Sequence, residues 1–195
     1  MRGHKRQGLT LPFLTLFDKS SIMDHHQPPF DFAWNSTLGY SVMLFLLITF
    51  LYLVLGVVTP LTANKYCARW TELFGLVFSP RSDKAAFGKS AKEIVDQDPS
   101  VMVTKISIYQ LHFGMYLAVA ILHFCLVWFG LRHGHAWALW ALAASDVAIV
   151  FFFLMAVRTF STQLTQLHFG DLPPFIYVPG MILPFAVILG WLGLR

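Results

Sequence analysis

The stretch from Ile106 to Val157 limits what this chain can fold into more than any other. It holds two apolar runs, from about 106 to 130 and from about 136 to 157, with one short connection between them. Each run exceeds the roughly 20 residues that an α-helix needs to cross a bilayer at about 1.5 Å per residue. The five residues Leu131-Arg132-His133-Gly134-His135 can only reverse the chain, so the two helices are expected as antiparallel neighbours.

Composition agrees with a membrane environment. The chain has 195 residues, 56% of them hydrophobic and only 12% charged, where soluble domains carry about 25% charged residues. One bundle of about four helices uses this length and leaves no room for an ordinary soluble domain. The expected fold class is therefore all-α: a polytopic integral membrane protein, a four-transmembrane-helix bundle with interfacial segments. Residues 1–37 read as a polar and interfacial N-terminal segment, and 38–195 as the transmembrane domain. The spans are placed at about 38–58, 106–130, 136–157 and 175–194. Asn35-Ser36-Thr37 suits a helix N-terminus, and Pro60 marks the exit of the first span. Pro173-Pro174 suits the start of the last span, which Pro179 and Pro184 should bend.

Two polar stretches flank these spans. Residues 1–22 join a basic start to a nine-residue apolar run broken by Pro12, too short to span. They read as an interfacial anchor, or as the product of a start codon assigned too early, with Met23 as the alternative start. Residues 61–105 form the one sizeable extramembrane loop. Within it Trp70–Phe78 reads as an interfacial patch, Ser79-Pro80-Arg81-Ser82 as a turn, and Ser90–Asp98 as a short polar helix. The loop carries Lys65, Arg69, Arg81, Lys84, Lys89, Lys92 and Lys105, which by the positive-inside tendency puts it on the cytoplasmic side, with both termini outside. The net charge of +4 is thus read as topology and attraction to anionic lipid, and no nucleic-acid partner is expected. Cys67 and Cys125 form no redox or metal motif and are expected as free thiols.

The unusual residues of the apolar part concentrate on the hairpin. Tyr109, His112, Tyr116 and His123 fall on one side of the first arm, because eleven residues advance a helix by about 20° beyond three turns. Such a stripe should point into the bundle. Asp146 lies on the second arm. Counting outward from the turn puts His123 and Asp146 at the same depth within about 3 Å. A hydrogen bond or ion pair between them is expected, and a separation beyond about 6 Å without a bridging water would exclude it. The pair reads as a polar clasp that fixes helix register, worth about 0.6–2 kcal/mol. It also reads as a proton relay, a ligand site or an acid–base pair. Ala138, Ala141, Ser145 and Ala148 form a small-residue stripe on the second arm, and both that stripe and the Asp146 face are expected to be covered by protein.

Other histidines invite metal readings. His25, His26, His133 and His135 gather on the outer side and could bind zinc or copper, although solvated histidines are the simpler reading. For haem, His112 with the loop residue His168 is the least strained pair, since His112 and His123 stand about 16 Å apart along the axis. His168 and Asp171 also read as a surface pair. No phosphate loop, nucleophile–base motif or spaced ligand pair identifies a reaction or a cofactor. Two function classes follow. The first is a non-catalytic accessory or structural subunit, with the lipid bilayer and other membrane subunits as partners. The second is a small membrane enzyme or transporter built on His123 and Asp146.

Overall fold

The computed structural model describes residues 32–172 and 174–195. The expectations for the N-terminal anchor, the Met23 start and the ligands His25 and His26 lie outside the described residues. The elements in chain order are α1 (Thr37–Phe74), α2 (Pro80–Phe87), α3 (Ala91–Gln97), α4 (Ser100–Cys125), α5 (Ala136–Gln163) and α6 (Pro174–Gly193). A π-helical turn (Leu126–Gly130) and a 3-10 turn (Leu131–His133) extend α4, and a 3-10 turn (Phe169–Asp171) precedes α6. No strand occurs among the described residues. Helix α1, α4 with its extension, and α5 are long and apolar enough to cross a membrane; the apolar helix Tyr177–Gly193 is shorter.

Helix α1 organises the rest. It packs along α4 on one side and α6 on another, while α5 rests on α6 and on the π-helical turn. Its N-terminus is capped by Ser36, whose hydroxyl accepts from the Gly39 N–H at 3.0 Å. Small residues bring α1 and α6 close. A Cβ on Gly193 would stand 2.5 Å from the Leu38 nitrogen, and one on Gly190 would stand 2.7 Å from Ser41 Oγ. The Ser41 hydroxyl donates to the Ala186 carbonyl at 2.7 Å, closing the same contact. Gly56 does the corresponding work against α4, where an added Cβ would meet the Leu117 backbone nitrogen at 2.5 Å.

Several sequence-based boundaries need correction. Pro60 does not end the first helix, which runs through it for 38 residues, or about 57 Å. The buried positions Tyr52, Gly56, Ala63, Cys67 and Thr71 keep one face of α1 packed on both sides of the proline. That continuous face outweighs the single lost backbone bond. The second long helix likewise begins at Ser100 rather than 106, and α5 continues to Gln163. The expected turn at Ser79–Ser82 is instead the start of α2. Ser79 and Ser82 cap each other's backbone N–H groups, both at 3.0 Å, with Pro80 at the first helical position. The short polar helix does form, over Ala91–Gln97, capped by Ser90 and Glu93 in the same reciprocal way.

The two hairpin arms are not simple neighbours. Gly130 allows Ala138 to close on the turn, since a Cβ there would lie 2.5 Å from the Ala138 Cβ. Beyond the turn α5 approaches α6 more than α4. Its buried residues are Ala138, Leu139, Leu142, Ala143, Asp146 and Phe160, whereas Ala148 is exposed. Val147, Phe151 and Phe152 on the far side are also exposed, so among the described residues it is the Asp146 face of α5 that is covered.

Around α2 the chain is tied together by hydrogen bonds. Gly75, at φ 79°, ends α1 in a backbone conformation that favours glycine. Asp83 is fully buried and accepts from the N–H groups of Leu76 and Val77. The buried Lys105 donates to the Gly75 carbonyl at 2.6 Å. Asp171 accepts from the Ser79 hydroxyl at 2.7 Å and from the His168 N–H at 2.8 Å. His168 and Asp171 therefore pair through the backbone within one loop turn, and the Asp171 side chain joins that loop to α2.

Two outcomes test this packing. Gly56→Ala should lower stability by about 1–3 kcal/mol by forcing α4 away. Gly114→Ala, where an added Cβ meets nothing within 4 Å, should be neutral or stabilising by about 1 kcal/mol. Thermal unfolding of the two variants side by side decides between them. For Asp171, burial alone would raise the carboxyl's pKa, but the His168 and Ser79 hydrogen bonds and the Arg81 charge outweigh it and hold it below the ordinary value. A depressed folded value stabilises above the unfolded pKa of about 3.9, and that contribution is lost as pH falls through the folded value. Asp171→Asn should thus destabilise the protein near neutral pH and flatten the acid limb of its stability profile, measured by denaturation at a series of pH values.

Candidate functional site: a buried polar cluster joining three helices

Tyr52 of α1, His123 of α4, and Ser145 and Asp146 of α5 meet in the apolar interior. Asp146 and His123 lie about eleven residues either side of the turn, so about 16 Å from that end of the bundle. That is about halfway along a helix of roughly 20 residues. Tyr52, His123 and Asp146 are only 3%, 1% and 2% exposed, which separates the cluster from bulk water.

The hydrogen bonds assign the hydrogens. The Tyr52 hydroxyl donates to Asp146 Oδ1 at 2.9 Å. The Ser145 hydroxyl donates to the Leu142 carbonyl at 2.9 Å, the local back-bond that serine makes in helices. Ser145 Oγ is then left as an acceptor, so His123 Nε2, 2.7 Å away, carries the hydrogen and donates. His123 Nε2 and Asp146 Oδ1 are 3.8 Å apart. This lies within the 6 Å limit set from the sequence but is too long for a direct hydrogen bond. Each partner is bonded to a third group instead. Two buried atoms of the cluster, His123 Nδ1 and Asp146 Oδ2, have no hydrogen-bond partner among the described residues.

Aromatic rings surround the cluster on the side of Gly75 and Lys105. The Tyr52 ring lies 5.6 Å from that of His123 and 5.4 Å from that of Tyr116, centroid to centroid. Tyr116 is followed by His112 at 5.3 Å and Phe113 at 5.6 Å. On the side of the hairpin turn the wall is aliphatic and aromatic: Val42, Phe45, Val127, Leu131, Leu139 and Leu142 are all fully buried.

No protein family, no curated protein and no solved structure matches this chain. The site must therefore be read from its own chemistry.

Of the residues singled out from the sequence, His123, Asp146 and Tyr116 come together here. His112 does not: it is exposed on the flank of α4, touching Tyr116 by its ring, and Phe113 takes the inward position. His133 and His135 are exposed beside the turn, and the His135 ring stacks on Trp137. Among the described residues, no three His, Cys, Asp or Glu side chains are grouped to hold a metal ion. His168 is exposed in the loop before α6. Cys67 and Cys125 are free thiols. Sequence reasoning missed Tyr52 and Ser145. Ser145 stands beside Asp146 in the sequence, but its place in the small-residue stripe points to packing. Tyr52 stands well inside the first span, where a hydroxyl needs a partner, and that was the available signal.

Removing the tyrosine hydroxyl leaves Asp146 Oδ1 without its donor. Tyr52→Phe should cost about 1–3 kcal/mol. In an Asp146→Leu background the same change should cost much less, because the acceptor is gone. A double-mutant cycle on unfolding free energy measures the coupling.

Proposed function

We propose that this chain is a polytopic integral membrane protein whose helices α1, α4, α5 and α6 cross the bilayer, and that it serves as a non-catalytic accessory subunit of a larger membrane complex. The closure of the polar cluster carries the subunit reading. A general acid–base pair must reach its substrate within hydrogen-bond distance, and Tyr52, His123 and Asp146 are buried from all sides. A cleft of about 130 Å³ lies between α1, α3 and α4, lined by Thr71, Glu72, Lys92, Val95, Asp96 and Met102 among others, and none of its lining residues belongs to the cluster.

The outer surface supports the same reading. Leu111, Phe152 and Phe185 are 73%, 67% and 65% exposed, a surface suited to lipid or to another apolar helix. Helix α5 is the least covered of the long helices: 11% of its apolar segment is buried, against 33% for α1 and 28% for α4. It is the face we assign to a neighbouring subunit. The exposed Arg81, Lys84, Lys89 and Lys92 support a cytoplasmic position for the loop that holds α2 and α3, with both ends of the chain on the opposite side.

A second reading, a small membrane enzyme or transporter acting through His123 and Asp146, is favoured by one observation: the unpartnered atoms of those two residues. Purification in mild detergent separates the readings. The expected result is a colourless, metal-free protein that stays in fixed stoichiometry with other membrane chains through size-exclusion chromatography. A haem absorption band or stoichiometric metal would overturn it and return the histidines to the centre. A colourless protein that migrates alone would favour the enzyme or transporter.

A further inference from the structure

The hydrogen bonds of the cluster leave an imbalance. Its donors, the Tyr52 hydroxyl, the Ser145 hydroxyl and the His123 Nε2–H, are all used. The two atoms left over, His123 Nδ1 and Asp146 Oδ2, are both acceptors, and both are buried. A leftover donor would call for an anion or a carbonyl. Leftover lone pairs on an imidazole and a carboxylate call for hydrogen. A buried carboxylate without compensation is costly in an apolar layer, and a proton on either group removes the net charge. The tight burial admits nothing much larger.

The surroundings of the cluster differ on its two sides. Toward the hairpin turn the wall is built mainly of Val42, Phe45, Val127, Leu131, Leu139 and Leu142, each fully buried, and the two buried hydroxyls on that side, of Ser41 and Thr49, are spent on the carbonyls of Ala186 and Phe45. Toward the loop of α2 and α3 stand Tyr116 and then the exposed His112, whose rings follow Tyr52 at 5.4 and 5.3 Å. The titratable groups facing the site are Tyr52 on α1, Tyr116 and His123 on α4, and Asp146 itself on α5. Helix α6 contributes Leu183 and Ala186 to the adjoining core; its titratable residue Tyr177 lies in its first turn, and Arg195 follows its last residue.

The geometry points to Asp146, held by Tyr52 and His123, as an intramembrane proton-binding site that exchanges with the side of the α2–α3 loop and not with the side of the hairpin turn. This rests on the reading that the helices cross a bilayer; it does not depend on the subunit role. In the step itself, hydronium on the loop side gives up a proton and returns to water. The proton adds to the carboxylate of Asp146, which becomes a neutral carboxylic acid, while Tyr52 keeps its hydrogen bond to Oδ1. Loss of the proton reverses these changes. A site of this kind would let the protein sense pH on one face of the membrane.

Infrared spectroscopy of the full chain in vesicles tests this. A Lys84→Cys variant, biotinylated with a membrane-impermeant reagent, allows vesicles with the loop facing outward to be captured. The expected result is a carboxylic-acid C=O band that is lost in Asp146→Asn and shifts in deuterium oxide. That band should disappear when the bath on the loop side is made alkaline and persist when only the opposite side is. Tyr52→Phe supplies a second check should Asp146→Asn not fold, because losing the hydrogen bond to Oδ1 must shift the band. An Asp146-dependent band that responds equally from both sides, or only from the turn side, would overturn the proposal. So would the absence of such a band at every pH, which would make Asp146 and His123 a fixed ion pair. Extraction of the protein from vesicles by alkaline carbonate would instead overturn the membrane reading on its own.

Discussion

A carboxylate can stay in the middle of an apolar bundle only if side chains replace the water it has left. Asp146 imposes that demand here, and much of the bundle follows from how it is met. Its own helix supplies Ser145, which holds the imidazole of His123. Helix α1 supplies Tyr52, whose hydroxyl reaches Asp146 Oδ1. Residues far apart in the chain must therefore meet at one depth, and α1 has to lie within reach of both arms of the hairpin. The polar atoms thus set the axial register of α1 against α4 and α5, where apolar packing alone tolerates sliding.

Two other kinds of contact hold the bundle on either side of this cluster. Toward the hairpin turn, α1 meets α6 through Leu38, Ser41, Gly190 and Gly193, where the missing side chains allow the backbones to touch. At the opposite end, the bonds are polar. Asp83 gathers the backbone after Gly75, Lys105 anchors that backbone to α4, and Ser79 reaches Asp171 before α6. Such bonds suit a region where helices end and their last carbonyls need partners. The first end relies on close packing, the second on hydrogen bonds, and the middle on the Asp146 cluster.

The depth match of His123 and Asp146 was legible in the sequence because both arms of a hairpin rise by the same amount per residue from a shared turn. Tyr52 was not, because its helix has no sequence-local tie to the hairpin, and only the docking of α1 brings it there. His112 was misplaced for a related reason. The buried positions of α4, at 105, 113, 120 and 123, span an arc of about 80° at 3.6 residues per turn, with Lys105 and His123 at one edge of it. His112 falls about 20° beyond that edge, outside the arc, and so stands on the flank although it shares a side with His123. Pro60 misled because its local effect was weighed without the packed face that continues to Thr71. At Ser79 the reciprocal serine cap was present in the sequence but was read only as punctuation. The small-residue stripe of α5 marked a real close contact at Ala138 but not at Ala148, which is exposed.

All of these readings share one premise, that α1, α4, α5 and α6 cross a bilayer in alternating directions and leave the α2–α3 loop on one side and the hairpin turn on the other. Labelling of single cysteines in intact cells or sealed vesicles tests it directly, using a membrane-impermeant maleimide at Lys84→Cys, His133→Cys and Gln166→Cys. The expected result is that the first and third positions react from one side only and the second from the other side only. Reaction of Lys84→Cys and His133→Cys from the same side would contradict the four-span arrangement, and with it the mid-membrane placement of Asp146.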